Sequence, residues 1–470
     1  AAAVAHVDRL PVLLLPGDVY ASRRPDPVLQ QIEDFEDGTI SANDCFRPVS
    51  RYFDRITRPE QIITALPRAL GVLTDPAQCG PVTLALCQDV QAEAYDYPES
   101  FFAKKLWSPR RIRPDTDELA AAITAIRTAK KPLIIAGGGV HYSDATQTLA
   151  RFAERHAIPV AETQAGKSAL AHDHPLNMGA IGVTGTAAAN SLAEDADLLI
   201  AVGTRMQDFT TGSWALFKNP QRRFLGLNVQ PFDAEKHRAL PLVADAREGL
   251  TLLSEALKDY RAPQDWTTRA HAEQASWIAT ASKHTAAANV PLPSDAQVIG
   301  AVMRAGLPSD VVVCAAGGLP GELHKLWNAS APGGYHMEYG YSCMGYEIAA
   351  GLGVKMATPE REVIVMVGDG SYLMMNSELA TSIMLGLRIT VVLLDNSGFG
   401  CINRLQRATG GKSFNNLLEH SRHVTLPEID FRKHAESLGA IAVAVDSLAG
   451  LEQAVTDARK NARSTVIVIT

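Results

Sequence analysis

The sequence predicts an α/β protein of three doubly wound, parallel-sheet domains, and three observations carry that prediction. Short apolar runs of strand length alternate with amphipathic segments of helix length along the whole chain, the pattern of βα units. Several of those runs end on Gly or Asp, as do strands whose C-terminal tips open into ligand-binding loops. The length of 470 residues exceeds what one hydrophobic core covers and corresponds to about three domains of ~150 residues.

Among the strands expected are residues 11–15, 82–86, 132–136, 198–202, 224–229, 311–315, 363–367, 389–394 and 465–469. One domain boundary falls at 107–114, where Trp107, Pro109 and Pro114 break up and end a basic run (Lys104, Lys105, Arg110, Arg111, Arg113) that reads as a solvated linker. A helix over 115–130 then leads into the strand at 132–136. A second boundary lies between Tyr260 and Pro293. Beyond it the capping box Ser294-Asp295-Ala296-Gln297 starts a helix that stops near Gly306 and Pro308. The domains are thus placed at 1–112, 113–275 and 285–470. The first strand has almost nothing ahead of it and the last run reaches the C-terminus, so the sequence reads as a portion of a longer polypeptide.

With 46% hydrophobic and 20% charged residues the chain is a well-buried globular protein. A net charge of −7 argues against nucleic acid, which requires a concentrated basic face. No apolar run reaches the length of a membrane span, and the N-terminal Ala-Ala-Ala-Val lacks the basic start of a signal peptide. Cys45, Cys79, Cys87, Cys314, Cys343 and Cys401 form no CxxC pair. Cys314 and Cys401 adjoin apolar runs, as buried reduced thiols do, and the expected compartment is cytoplasmic.

Chemistry concentrates in residues 363–400. The strand at 363–367 ends at Gly368-Asp369-Gly370, a helix is expected over 371–385 with Gly386 as its stop, and the strand at 389–394 leads to Asp395-Asn396-Ser397-Gly398. The two strand tips bring Asp369 and Asn396 to one rim of the sheet, offering hard oxygen ligands for Mg²⁺ or Ca²⁺. The Gly398 carbonyl can add a third. Gly370 and Ser371 open the helix, where backbone N–H groups and the helix dipole hold a phosphate. Gly-Asp-Gly alone is a common turn. Between a strand and a helix, with Asn-x-Gly after the next strand, it reads as a metal–diphosphate cradle.

GDGSYLMMNSEL…DNSGFG resembles the thiamine-diphosphate motif of the acetolactate synthase and pyruvate decarboxylase superfamily. The resemblance implies that Asp369, Asn396 and the Gly398 carbonyl bind Mg²⁺, and that Gly368, Gly370 and Ser371 contact thiamine diphosphate. Tyr341-Ser342-Cys343-Met344-Gly345-Tyr346 is similar to the family segment that bends the cofactor, with Met344 wedged between its rings and the Ser342 carbonyl facing the aminopyrimidine. On its own, Met344 reads equally as a core methionine before a helix. Ala316-Gly317-Gly318-Leu319 occupies the family's other diphosphate-contacting turn, where small residues let backbone approach a ligand. Residues 115–257 are similar to the family's central domain through KPLIIAGGGV, PVAETQAGKSAL and ADLLIAVGTR. Two near-motifs there are decoys. Residues 161–168 lack the first P-loop glycine, and Tyr142 stands where the glycine run at 137–139 needs its last dinucleotide-fingerprint glycine. FAD, carried by some relatives, is not expected. His172-Asp173-His174 has no third ligand nearby and reads as an exposed loop.

The segments DCFRPVSRYFDRITRPEQ, LPGELHKLW, YHMEYGYSCMGYE and CINRLQ resemble a hydrolytic branch of the family. That branch opens a polyhydroxylated cyclic 1,2-diketone with water in inositol breakdown. The resemblance further implies a glutamate, upstream of Pro11, that activates the aminopyrimidine, and an active site shared between subunits of a homodimer or homotetramer. His336 and Glu338, among Tyr335, Tyr339 and Tyr341, are candidates for proton transfer or hydroxyl orientation, or else hydrogen-bonded structural groups. Asp44, Arg47 and Arg51 could reach a polyol, though surface ion pairing is the commoner fate of such residues. Two rival readings remain, an acetolactate synthase-like carboligase or decarboxylase and a non-catalytic cofactor-binding subunit.

Overall fold

The computed structural model describes residues 1–24, 27–288, 293–426 and 428–469. The chain divides into two compact units, residues 1–112 with 229–231 and residues 113–228 with 232–470. The expected boundary between Tyr260 and Pro293 includes residues 289–292, which lie outside the described residues.

In the first unit, β4 (Val82–Cys87) is the central strand. It pairs in parallel with β3 (Tyr52–Ile56) and, at successive levels, with β1 (Leu13–Leu14) and β2 (Gly17–Asp18). The strand expected at 11–15 thus shrinks to two residues. Pro11 and Pro16 flank it and have no N–H to donate to the ladder. β3 carries charge into the sheet. Arg55 Nε donates to Asp18 at 2.6 Å and its Nη2 to Asp44 at 2.7 Å. Burial raises the Asp44 carboxyl, but the Ser41 N–H and the Arg47 and Arg55 guanidiniums outweigh it and bring the pKa to about 2. A carboxyl lowered in the folded state contributes stability above its unfolded pKa, and that stability is lost as pH falls through the folded value. Thermal melts between pH 6 and 2 should therefore show wild type losing stability from about 4 down to about 2, and Asp44→Asn losing less over that window. Equal slopes would remove the ion-pair assignment.

The second unit holds two six-stranded parallel sheets. The first has the order β10-β9-β8-β5-β6-β7, built from β5 (Pro132–Ala136), β6 (Val160–Glu162), β7 (Asn177–Ala180), β8 (Leu198–Val202), β9 (Arg223–Asn228) and β10 (Leu240–Val243). β5 and β8 match the expected strands and are buried at every residue, as parallel strands covered on both faces must be. The second sheet has the order β12-β11-β13-β14-β16-β15. It contains β11 (Val311–Cys314), β12 (Tyr335–Met337), β13 (Val363–Gly368), β14 (Thr390–Leu394), β15 (Ile441–Val445) and β16 (Thr465–Ile469). The chain steps from β11 to β12 on one side, then returns to lay β13 on the other. The crevice outside the strand tips at such a reversal is where doubly wound sheets bind ligands.

The helix expected over 115–130 spans Thr116–Thr128, capped by Asp115, which accepts from the N–H groups of Asp117 and Glu118. Both bonds of the predicted capping box form between Ser294 and Gln297, starting the Asp295–Ala305 helix. The helix expected over 371–385 is instead two, Asp369–Met374 and Glu378–Met384. The Asn376 side-chain amide donates to the Tyr372 carbonyl at 3.1 Å, supplying locally what the next helical N–H would have given. Among the described residues no helix is long and apolar enough to cross a membrane.

Candidate active site

Four turns at the tips of the second sheet line one cavity. After β11 come Ala316, Gly317, Gly318 and Leu319; ahead of the Tyr346–Ala357 helix come Ser342 and Met344. Gly368, Asp369, Gly370 and Ser371 follow from β13, and Asn396 and Gly398 from β14. Every residue expected to bind the cofactor or metal therefore lines a single cavity. Adjacency of β13 and β14, with Gly368 opposite Leu394, places Asp369 and Asn396 just beyond paired positions on neighbouring strands.

Asp369 is 5% exposed. Its Oδ2 accepts the Gly398 N–H at 2.8 Å, while Oδ1 is buried with no hydrogen-bond partner. Burial raises its pKa, opposed chiefly by the Gly398 N–H. A buried carboxylate oxygen without a partner is costly. Here it stands beside an amide-bearing residue and a helix start, and a hard divalent cation would satisfy it.

The glycines are required by close approach. Gly398 has φ +143°, and a Cβ there would meet the Asn416 carbonyl at 2.6 Å. A Cβ on Gly370 would meet the Phe399 ring at 2.8 Å and Met344 Cε at 3.7 Å, which sets Met344 beside the Gly368–Ser371 turn. Ser342 takes the left-handed conformation, φ 54°, and its hydroxyl donates to the Ala315 carbonyl at 3.2 Å.

His336 and Glu338 do not line this cavity. His336 lies on β12, its Nε2 2.9 Å from the Tyr346 hydroxyl, and burial lowers its pKa. Glu338 is 1% exposed and accepts three backbone N–H groups, from Gly340 at 2.6 Å, Tyr341 at 2.8 Å and Cys343 at 2.8 Å. These bonds fit the structural alternative for Glu338, which ties down the turn that carries Ser342 and Met344. In the first unit, Asp44 and Arg47 pair with each other, as surface ion pairing predicts. His172 meets Ser330 and His174 meets Glu154, so the two imidazoles serve different partners. All six cysteines are free. Cys314 is buried, but Cys401, expected to be buried, is only partly so and lines the cavity.

Sequence reading missed the cavity's other wall. Asp295 and Arg404 both line it and form an ion pair at 2.9 Å. Glu347, also missed, bonds Ser371 at 2.8 Å. The only available signal was the distinctiveness of the segments that contain Arg404 and Glu347.

Parallel sheets with glycine-rich turns at the reversal, an unsatisfied carboxylate and an Asn-x-Gly tip are the features of a cofactor-dependent α/β enzyme. Residues 119–253 match the thiamine pyrophosphate enzyme central domain, and residues 315–469 match the thiamine pyrophosphate enzyme C-terminal TPP binding domain. The chain belongs to the thiamine pyrophosphate enzyme family. Among its relatives, the 3D-(3,5/4)-trihydroxycyclohexane-1,2-dione hydrolase of Geobacillus thermodenitrificans (strain NG80-2) is 46% identical over 497 residues, covering 100% of this chain and 77% of that protein. Proteins of the same name from Bacillus cereus (strain AH820) and Bacillus anthracis (strain A0248) are 45% identical over 499 residues, with the same coverage.

Proposed function

We propose that the cavity holds thiamine diphosphate through Mg²⁺, and that the protein hydrolytically cleaves a carbon–carbon bond of a polyhydroxylated cyclic 1,2-diketone. The reaction is that of trihydroxycyclohexane-1,2-dione going to 5-deoxyglucuronate in inositol degradation. The observation that carries the reading is the Asp369 carboxylate, with one oxygen fixed by Gly398 and the other buried and unpaired. Likeness to the dione hydrolases over the whole chain supports the substrate class.

When bound, thiamine diphosphate supplies a nucleophilic carbon and an electron sink next to the breaking bond. Asp369, Asn396 and the Gly398 carbonyl would hold Mg²⁺, and the N–H groups of Gly370 and Ser371 would hold the diphosphate at the helix start. Gly317, Gly318 and Leu319 form the facing wall, and Met344 would fix the cofactor's bend. Ring opening consumes one water: one carbonyl carbon becomes a carboxylate and the other an aldehyde. Self-association, with the site completed by a second subunit, belongs to this reading.

The test uses the intact protein with thiamine diphosphate and Mg²⁺ in ¹⁸O-water. A cyclic 1,2-diketone should yield one ring-opened acid-aldehyde with ¹⁸O in its new carboxylate, and pyruvate should yield no acetolactate. Acetolactate without ring opening would make the protein a carboligase instead.

A further inference from the structure

Glu347 is the second residue of the Tyr346–Ala357 helix and is 1% exposed. Its carboxylate joins three of the turns that line the cavity. The Ser371 hydroxyl lies 2.8 Å from each carboxylate oxygen, and the Ala316 N–H donates to Oε1 at 3.3 Å. Ser371 Oγ in turn accepts the Gly345 N–H at 2.8 Å. No ion pair to Lys, Arg or His is seen for Glu347 among the described residues. From β11 the titratable group facing it is the Cys314 thiol, pushed up to about 12 by burial and so neutral. On the Asp369–Met374 helix, Asp369 is the charged residue, its Oδ2 held by Gly398. Val313, Val365 and Leu379, from β11, β13 and the Glu378–Met384 helix, pack with Ile348 in one apolar layer.

The hydroxyl of Ser371 has one proton and two lone pairs. With Glu347 ionised, the proton points to the carboxylate, one lone pair takes the Gly345 N–H, and the remaining lone pair is all that the Ser371 hydroxyl can offer an anion. With Glu347 protonated, its O–H donates to Ser371. Both lone pairs are then used, and the Ser371 proton is free to donate to a phosphate oxygen.

We propose that Glu347 is a positioning residue that binds a proton when diphosphate enters the cavity, and that this proton turns the Ser371 hydroxyl into a donor. The inference rests on the cavity being the diphosphate site. Burial raises the Glu347 carboxyl above its ordinary range, in the direction this role needs. A glutamine at 347 would mimic the protonated acid, because its amide N–H can donate to Ser371 permanently.

The experiment is calorimetric titration of the protein with thiamine diphosphate and MgCl₂, in phosphate and in Tris at one pH. Wild type, Glu347→Gln and Glu347→Ala are compared. The difference in heat between buffers reports protons taken up, and subtracting the glutamine variant removes protons belonging to the cofactor itself. Wild type should take up more protons than Glu347→Gln, which should bind within about threefold of wild type. Glu347→Ala should bind about 10–100-fold more weakly, the worth of a hydrogen bond to a charged group. Identical proton counts for wild type and Glu347→Gln would overturn the proposal, and so would wild-type affinity in Glu347→Ala. If the alanine variant does not fold, the glutamine comparison decides alone. Failure of wild type to bind thiamine diphosphate at all would bring down the diphosphate reading and this inference together.

Discussion

Asp369→Asn should bind Mg²⁺ and thiamine diphosphate at least roughly 100-fold more weakly than wild type, while the cofactor-free variant melts no lower. The two halves of this expectation come from the two oxygens of one side chain. Oδ2 accepts the Gly398 N–H at 2.8 Å, a bond that the asparagine carbonyl can keep. Oδ1 is buried without a partner, so the free protein carries a poorly compensated carboxylate whose desolvation opposes folding. The amide removes that charge and with it the strongest ligand a hard dication could find at this rim. Only the bound state then suffers. Anything that binds the native state alone raises its apparent stability by mass action. Mg²⁺ with thiamine diphosphate should accordingly lift the melting temperature of wild type but not of Asp369→Asn. Melting curves with and without cofactor, alongside calorimetry, check both halves. Unchanged affinity in the variant would mean that the cation is held elsewhere.

The parts of the site legible in the sequence are those encoded by consecutive residues. Gly368 to Ser371 and Asn396 to Gly398 each follow a strand whose residues are nearly all buried and apolar. The strand tip, the turn and the candidate ligand can then be read together. The parts that were not legible depend on pairs far apart in the chain. Glu347 meets Ser371 across 24 residues and Arg404 meets Asp295 across 109. No local period announces either pair. The same holds for the fold. β8 could be read from five apolar residues, whereas β3 carries Asp54 and Arg55, and Arg55 becomes compatible with a sheet only once Asp18 and Asp44 neutralise it. The broken helix at 375–377 turns on one side-chain amide, that of Asn376, competing with the backbone. Apolar residues stand on both sides of the break, Leu373 and Met374 before it and Leu379, Ile383 and Met384 after it, so the pattern alone favoured a single helix.

Glu338→Ala should lose stability and cofactor affinity together, the latter by roughly 10–100-fold, and Glu338→Gln should fall between it and wild type in both. The carboxylate accepts N–H groups from Gly340 and Tyr341 on one oxygen and from Cys343 on the other. Enclosed within those bonds is Ser342 with φ 54°, a conformation that costs a non-glycine residue about 1–2 kcal/mol. Such a backbone persists only while its surroundings over-determine it. Alanine leaves three donors without their acceptor and lets Ser342 relax, which withdraws its carbonyl and the neighbouring Met344 from the cavity wall. Glutamine keeps one acceptor oxygen, enough for the Gly340 and Tyr341 bonds but not for Cys343, hence the graded result. A proton-transfer role would give another pattern, because glutamine cannot carry the proton: turnover would collapse in Glu338→Gln while its melting temperature and cofactor affinity stayed at wild-type values. That pattern would place Glu338 in the chemistry, whereas a graded loss of all three would make it the brace of the Ser342 turn.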